Sequence, residues 1–186
     1  ADAQLSRMLR AHWINDKEYQ FITNKQGYAY HIEKKTSRKL SYTNEQGVPA
    51  PQYFADGSGY IGETEKGFGY CVNGKEGEVS SDEEGIVIGK TVHRSEFGIT
   101  HGLFISPANT KLAYYEMDES MVTEYPLYQL ADTPATAAML RYPTAGGKSH
   151  HVKVKVKNLA TNGESVTIKT TGDPEQYLTN VSWSAD

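Results

Sequence analysis

A short polar loop, residues 93–96, carries the two charged side chains best placed to do chemistry in this chain. Arg94 is a cation with several hydrogen-bond donors and Glu96 is a carboxylate, so each can form charge-assisted hydrogen bonds. Two apolar runs follow, residues 103–105 and 112–115, separated by a turn rich in Pro, Ala and Asn, and a second polar loop, residues 116–124, comes after them. This order predicts a β-meander that carries its chemistry on loops.

The histidines and the cysteine do not suggest a metal site. His93, His101, His150 and His151 show no ligand spacing with carboxylates, and the adjacent pair at 150 and 151 would point to opposite sides of a strand. Cys71 is the only cysteine, which rules out an intrachain disulfide and a cysteine metal cluster. We therefore expect no metal and no cofactor.

The composition favours a sheet protein with many tight turns. There are 13 Tyr and 17 Gly against 5 Phe, and neither the 38% hydrophobic nor the 23% charged share suggests disorder. The net charge of −4 makes nucleic acid an improbable partner. No apolar run approaches the roughly 20 residues that span a bilayer. The chain starts at Ala1 without an initiator Met, as a trimmed mature form would.

Residues 1–18 hold the best helical pattern, because Leu5, Met8, Leu9 and Trp13 recur at helical spacing. The pattern predicts a short N-terminal helix, or an arm packed on a sheet.

A repeated strand pattern occupies the rest of the chain, residues 19–186. Leu40 and Val79 close two similar strand groups at a separation of about 40 residues, and Ile168 follows at about twice that separation. Residues 44–59, rich in Pro and Gly, are interpreted as a linker or a long loop between units. The repeat predicts an all-β fold, a partial β-propeller of about three to four blades, each a four-stranded antiparallel meander. A β-sandwich or barrel with coincidental spacing remains the alternative.

Three stretches together resemble the N-terminal β-propeller of the dipeptidyl peptidase IV family of serine exopeptidases. They are FISPANTKLAYYEMDESMVTEYPLY, RYPTAGGKSHHVKVKVKNLATNGE and QYLTNVSWSAD, and the resemblance covers residues 86–186. The resemblance implies a propeller that caps an α/β-hydrolase domain, which supplies the catalytic Ser, Asp and His. It also implies a glutamate pair on a propeller loop that holds the free N-terminal ammonium of the substrate.

Two departures from the family pattern bear on function. No G-x-S-x-G nucleophile elbow occurs in residues 1–186, so we expect the hydrolase domain and all catalytic residues to lie outside this chain. The glutamate loop corresponds to residues 91–97, where only Glu96 is acidic. The resemblance makes Glu96 a candidate for ammonium binding, with an ordinary surface carboxylate as the alternative. Arg94 could contact a peptide carbonyl or carboxylate, or neutralise Glu96.

The resemblance therefore predicts a substrate-gating segment of a dipeptidyl peptidase IV-like enzyme that releases dipeptides from peptide N-termini. Its expected partners are peptide substrates, a C-terminal hydrolase domain and a second copy meeting it at open blade edges. The expected compartment is the periplasm, the cell envelope or the exterior. A non-catalytic module that binds proteins or glycans at the envelope is the alternative. For Asp118 and Glu119, the family suggests a cavity-side loop, whereas a solvated turn is the simpler interpretation.

Overall fold

The structure is a computed structural model that describes residues 10–161 and 163–184. Within these residues the chain forms fifteen strands and one distorted 3-10 segment, His93–Gly98. The strands are β1 (His12–Asn15), β2 (Glu18–Thr23), β3 (Gln26–His31), β4 (Thr36–Thr43), β5 (Gln52–Tyr53), β6 (Gly59–Glu63), β7 (Gly67–Val72), β8 (Lys75–Ser80), β9 (Ile86–Ile88), β10 (Leu103–Ile105), β11 (Lys111–Asp118), β12 (Glu124–Gln129), β13 (Thr136–Arg141), β14 (His151–Asn158) and β15 (Val166–Thr167).

Blade 1 is the antiparallel sheet β1-β2-β3-β4. The β2–β3 hairpin closes through Asn24 and Lys25, whose φ angles of 48° and 63° match the type I′ turn that suits the twist of paired strands. Half of the stretch predicted to be helical, residues 1–9 of 1–18, lies outside the described residues. Its described end is strand β1, in which Trp13 pairs with Tyr19, so the helical prediction is wrong there.

Blade 2 is the antiparallel sheet β5-β6-β7-β8. Asn73 and Gly74, with φ angles of 49° and 78°, form the tight turn that their sequence predicts. Strand β7 is buried along its whole length, because blades cover both of its faces. Residues 44–59 are not simply a linker, since they contain β5, which pairs with β6.

Blade 3 has the order β10-β11-β14-β15. Strand β9 pairs with residues 116–118 at the C-terminal end of β11. It lies on the same side of β11 as β10, which pairs with residues 112–114. The first position of this blade is therefore filled by two short strands, and residues 89–102 loop out between them. The 3-10 segment lies on this interruption.

Strands β12 and β13 form a separate two-stranded hairpin inserted between β11 and β14. The large separation between Val79 and Ile168 is thus one blade enlarged by an insertion, and not two repeats as the spacing suggested. The strands of residues 151–169 also belong to the sheet of residues 103–118 and do not form another blade. The second polar loop is shorter than predicted, because β11 extends to Asp118 and β12 begins at Glu124.

Aromatic and aliphatic side chains pack the blades face to face. Between blades 1 and 2, the rings of Tyr42 and Tyr60 meet edge to face at 5.8 Å. Between blades 2 and 3, Phe68 meets Tyr114 at 4.9 Å beside buried Leu112. These stacked four-stranded sheets, open at both ends within the described residues, confirm the all-β partial propeller.

Blade 3 buries a further apolar cluster on the side away from blade 2. Val92, Ile99, Tyr115 and Val152 form it, and Leu178 and Val181, from the segment after β15, pack against it. The chain thus returns to the outer face of blade 3 close to the loop of residues 89–102. Among the described residues, no helix has the length and hydrophobicity needed to cross a membrane.

Candidate functional site

The loop that carries Arg94 and Glu96 has an unusual backbone. His93, Arg94, Ser95 and Phe97 all lie in the left-handed region, with φ between 51° and 62°. Such conformations are unfavourable for residues with a Cβ atom, and they persist where surrounding contacts impose them. Two backbone hydrogen bonds form the turns, from the Ser95 N–H to the Val92 carbonyl at 3.0 Å and from the Ile99 N–H to the Glu96 carbonyl at 3.1 Å.

The buried side chain of His93 holds the loop in place through hydrogen bonds. Its side chain is only 2% exposed, and its Nε2 accepts a hydrogen bond from the Leu178 backbone N–H at 3.2 Å. Its Nδ1 lies 3.1 Å from Nε2 of His150, which is 4% exposed. Because Nε2 of His93 accepts, Nδ1 of the neutral ring must carry the proton and donate it to His150.

The same logic gives His150 a proton on Nδ1, which has no partner among the described residues and is buried. Burial lowers the pKa of His93 from 6.5 to about 4, with His150 adding to the effect and Glu96 opposing it. The pKa of His150 is also lowered, first by burial and then by the charge of Arg94. Both rings are therefore neutral at neutral pH.

Glu96 lies at the exposed side of the loop beside an aromatic cluster. Tyr177 donates its hydroxyl hydrogen to Oε2 of Glu96 at 2.8 Å, and this contact raises the pKa of Tyr177. The Tyr177 ring stacks on His93 with centroids 4.3 Å apart, and the 73% exposed Phe97 meets it edge to face at 5.1 Å. No cationic side chain of residues 10–161 or 163–184 forms an ion pair with Glu96.

Arg94 is directed to the inserted hairpin and does not neutralise Glu96. Its Nη2 donates to the Arg141 carbonyl, and its guanidinium carbon lies 5.2 Å from the centre of the Tyr142 ring, a cation–π contact. Arg141 in turn donates to the carbonyls of Ser120 and Val122 at 3.2 and 3.1 Å. The loop is thus tied to the base of the hairpin.

The other polar candidates have different environments. Asp118 accepts from the backbone N–H and the hydroxyl of Ser120 at 2.9 and 2.7 Å, which closes a turn at the end of β11 and lowers the Asp118 pKa. Glu119 is half-buried, and burial raises its pKa although Arg94 and Arg141 oppose the shift. Asp118 therefore has a local structural role, while Glu119 lies in the field of the arginines next to the loop.

Arg94, Glu96 and the two histidines are recognisable in the sequence, but their spacing does not indicate that they lie together. His93 and His150 are 57 positions apart and touch only because β14 begins beside the interrupted strand. Tyr177 was missed, since it lies 81 positions from Glu96 and belongs to no polar loop. Its one signal was its place in the family-like stretch QYLTNVSWSAD. His101 is exposed; its Nδ1 lies 3.0 Å from the Thr100 hydroxyl and its ring lies 4.8 Å from the Phe104 ring.

No group of three His, Cys, Asp or Glu side chains in the described part of the chain is arranged to hold a metal ion. The site is accordingly one of charge, hydrogen bonding and aromatic contact. It can bind a cation through Glu96 and carbonyl or carboxylate groups through Arg94.

Stacked antiparallel blades with a charged loop at an interrupted strand define a class of protein, the β-propellers, here with a polar loop at a blade edge. A family model, the dipeptidyl peptidase IV N-terminal region, matches residues 70–186. The chain belongs to this family, as the resemblance implied, and it is a peptidase-associated domain.

Solved structures agree with this assignment. The chain is similar to a Bacteroides ovatus protein classed as a dipeptidyl aminopeptidase IV, with 36% identity and a TM-score of 0.72 over 91% of this chain. It also shares its fold with Porphyromonas gingivalis dipeptidyl peptidase 4, at 23% identity and a TM-score of 0.62 over 89% of this chain. The matched regions cover 23% and 24% of those two proteins, so the chain spans about a quarter of their length.

Proposed function

We propose that this chain is the substrate-recognising part of a dipeptidyl peptidase IV-like serine exopeptidase, in which Glu96 holds the free ammonium of a peptide N-terminus. The observation that carries the proposal is the exposed carboxylate of Glu96, which lacks a cationic partner in the described chain and lies on an anchored loop. A carboxylate held in place and left uncompensated favours a cationic ligand. Catalysis would come from a hydrolase domain that this chain does not contain.

Arg94 supplies the second contact of the proposed site. Its Nη2 is engaged by the Arg141 carbonyl, whereas its Nε and Nη1 make no hydrogen bond within the described residues. These donors can reach a carbonyl or carboxylate of a bound peptide. The hairpin contact would then hold the guanidinium plane in a defined orientation.

The test uses the full-length protein and a dipeptidyl chromogenic substrate with a free N-terminus. Glu96→Gln removes the charge and keeps the shape, and it should lower kcat/KM by about tenfold or more. Glu65→Gln, at an exposed turn of blade 2, is the matched control and should leave kcat/KM unchanged. An N-acetylated substrate should be insensitive to Glu96→Gln, because it has no ammonium. Equal kcat/KM for Glu96→Gln and wild type would refute the proposed role of Glu96.

The hairpin β12–β13 supports the expected homodimer, although on another surface than the blade edges. Tyr125, Leu127, Leu140 and Tyr142 are exposed on it, and contiguous apolar side chains of this kind mark contact surfaces. We place the proposed contact between copies there. Light scattering on the full-length protein should show a dimer that Leu127→Lys weakens, and a strictly monomeric wild type would refute the placement.

The periplasm, the cell envelope or the exterior remains the proposed compartment. Cell fractionation with an antibody against the chain tests it, and recovery of the protein only from the cytoplasm would refute it.

A further inference from the structure

Tyr177 occupies a position from which it can share a ligand with Glu96. It lies in the segment after β15, is 50% exposed, and places its hydroxyl oxygen 2.8 Å from Oε2 of Glu96. A phenol that donates to a carboxylate keeps lone pairs on its own oxygen, so it can still accept a hydrogen bond. A donor beside this pair can therefore contact both residues.

The position of the Tyr177 hydroxyl is fixed by buried neighbours. The next residue, Leu178, is held through both of its backbone polar groups. Its N–H donates to His93 at 3.2 Å, and its carbonyl accepts from the buried Tyr115 hydroxyl at 2.7 Å. The Tyr177 ring stacks on His93, whose other nitrogen contacts His150. The hydroxyl is thus preorganised before any ligand binds, which limits the ordering that binding requires.

A primary ammonium has several N–H donors, and one carboxylate oxygen cannot satisfy them. Oε2 of Glu96 already accepts one hydrogen bond from Tyr177, so Oε1 of Glu96 and the Tyr177 oxygen are the neighbouring acceptors that carry the fewest hydrogen bonds. We propose that Tyr177 is a specificity-determining residue that accepts the second hydrogen bond of a substrate N-terminal ammonium. This inference rests on the proposed ammonium role of Glu96.

The arrangement has a distinct chemical consequence. A site with two carboxylates would recognise mainly the positive charge, whereas one carboxylate and one hydroxyl recognise the charge and the number of N–H donors separately. The preferred substrates are then peptides with a primary N-terminal ammonium. N,N-dimethylation keeps the charge and leaves a single N–H, so it removes the bond to Tyr177 and retains the ion pair with Glu96.

The experiment compares two matched peptides, one with a free N-terminus and one with a dimethylated N-terminus, as competitive inhibitors of the full-length protein. Tyr177→Phe removes the hydroxyl and keeps the ring stacked on His93. It should weaken the free peptide by about fivefold and the dimethylated peptide little, so the preference for the free amine should shrink. Tyr30→Phe, on blade 1 and without a hydrogen bond from its hydroxyl in the described chain, is the control and should leave both affinities unchanged.

The outcomes separate the two ideas. If Glu96→Gln weakens both peptides and Tyr177→Phe weakens only the free one, the role of Tyr177 is supported. Equal losses for both peptides in Tyr177→Phe would mean that Tyr177 only positions Glu96, which would overturn the inference. If Tyr177→Phe changes neither affinity while Glu96→Gln acts, the inference fails and the proposed function stands. If Glu96→Gln changes nothing, both fail.

Discussion

Protonation of the buried histidine pair should loosen the candidate site in mild acid. His93 accepts the Leu178 N–H through Nε2 and donates through Nδ1 to His150. A protonated His93 has N–H groups at both positions, so it can no longer accept from Leu178, and its charge is buried next to a second ring. The loop of residues 92–98 and the segment around Tyr177 should therefore open together as the pH falls.

The size of the effect follows from the pKa of His93, which falls from 6.5 to about 4 in the folded state. At pH values between the two pKa values, the closed state binds fewer protons than the open state, so a higher pH favours the closed state. The stabilisation is complete above about pH 6.5 and is lost as the pH falls towards about 4. From about pH 7 to about pH 5 the linkage relation gives a loss of about 2 kcal/mol, or an open population about twentyfold larger.

Hydrogen exchange of the full-length protein measures this opening directly. Protection of peptides from residues 92–99 and 176–181, corrected for intrinsic exchange, should fall between about pH 7 and about pH 5. His93→Gln keeps an acceptor for Leu178 but does not titrate, so its pH dependence should be much smaller, with the remainder due to His150. His101→Gln removes an exposed histidine nearby and should behave like wild type. The same pH dependence in His93→Gln and wild type would show that protonation of His93 does not cause the opening.

Three further results are expected. Gly89→Ala should destabilise the protein by about 1–3 kcal/mol more than the control Gly47→Ala, as measured by thermal unfolding. Both glycines have φ near 70°, but only at position 89 would the new methyl group collide with buried side chains. Equal losses of stability in the two variants would contradict this prediction. Gln20→Ala should lower the unfolding midpoint, at a loss of about 2 kcal/mol, because the buried Gln20 amide donates to the Phe54 carbonyl of blade 2 and accepts from the Tyr42 hydroxyl of its own blade; an unchanged midpoint would contradict this. The chain alone should not hydrolyse a proline-type dipeptide chromogenic substrate, because it has no G-x-S-x-G motif. Hydrolysis by the purified chain would contradict the expectation that the catalytic residues lie outside residues 1–186.

Local sequence signals were sufficient for the strands that form hairpins. Asn73 and Gly74 need no tertiary context to favour a two-residue turn, and the alternation around Val152 and Val154 indicates one buried face. Sequence patterns did not predict the elements whose formation depends on partners that are distant in the chain. Strand β9 is only three residues long and exists because β11 extends past β10 to pair with it. The spacing of the repeat was misleading for the same reason, since the segment inserted between β11 and β14 and the loop of residues 89–102 together add about one repeat length to blade 3.

The candidate site shows the same limit at the level of side chains. The polarity of the loop pointed to Arg94 and Glu96, but polarity does not specify which residues hold them. Arg94 is held by a backbone carbonyl of β13, and Glu96 is contacted by a tyrosine from beyond β15. Only the order in which strands return to β11 brings these segments together, and sequence spacing does not encode that order.

The interruption of the first strand of blade 3 explains why the site is both irregular and well defined. Because β9 and β10 both pair with β11, the sheet keeps its register on either side of the gap, and residues 89–102 are released from the ladder. The left-handed residues of the loop can then adopt a shape that no strand allows. That shape is fixed by β13 through Arg94, by the start of β14 through His93, and by the segment after β15 through Glu96. All three anchors come later in the chain, so the conformation of the loop depends on contacts with the rest of blade 3 and with its inserted hairpin.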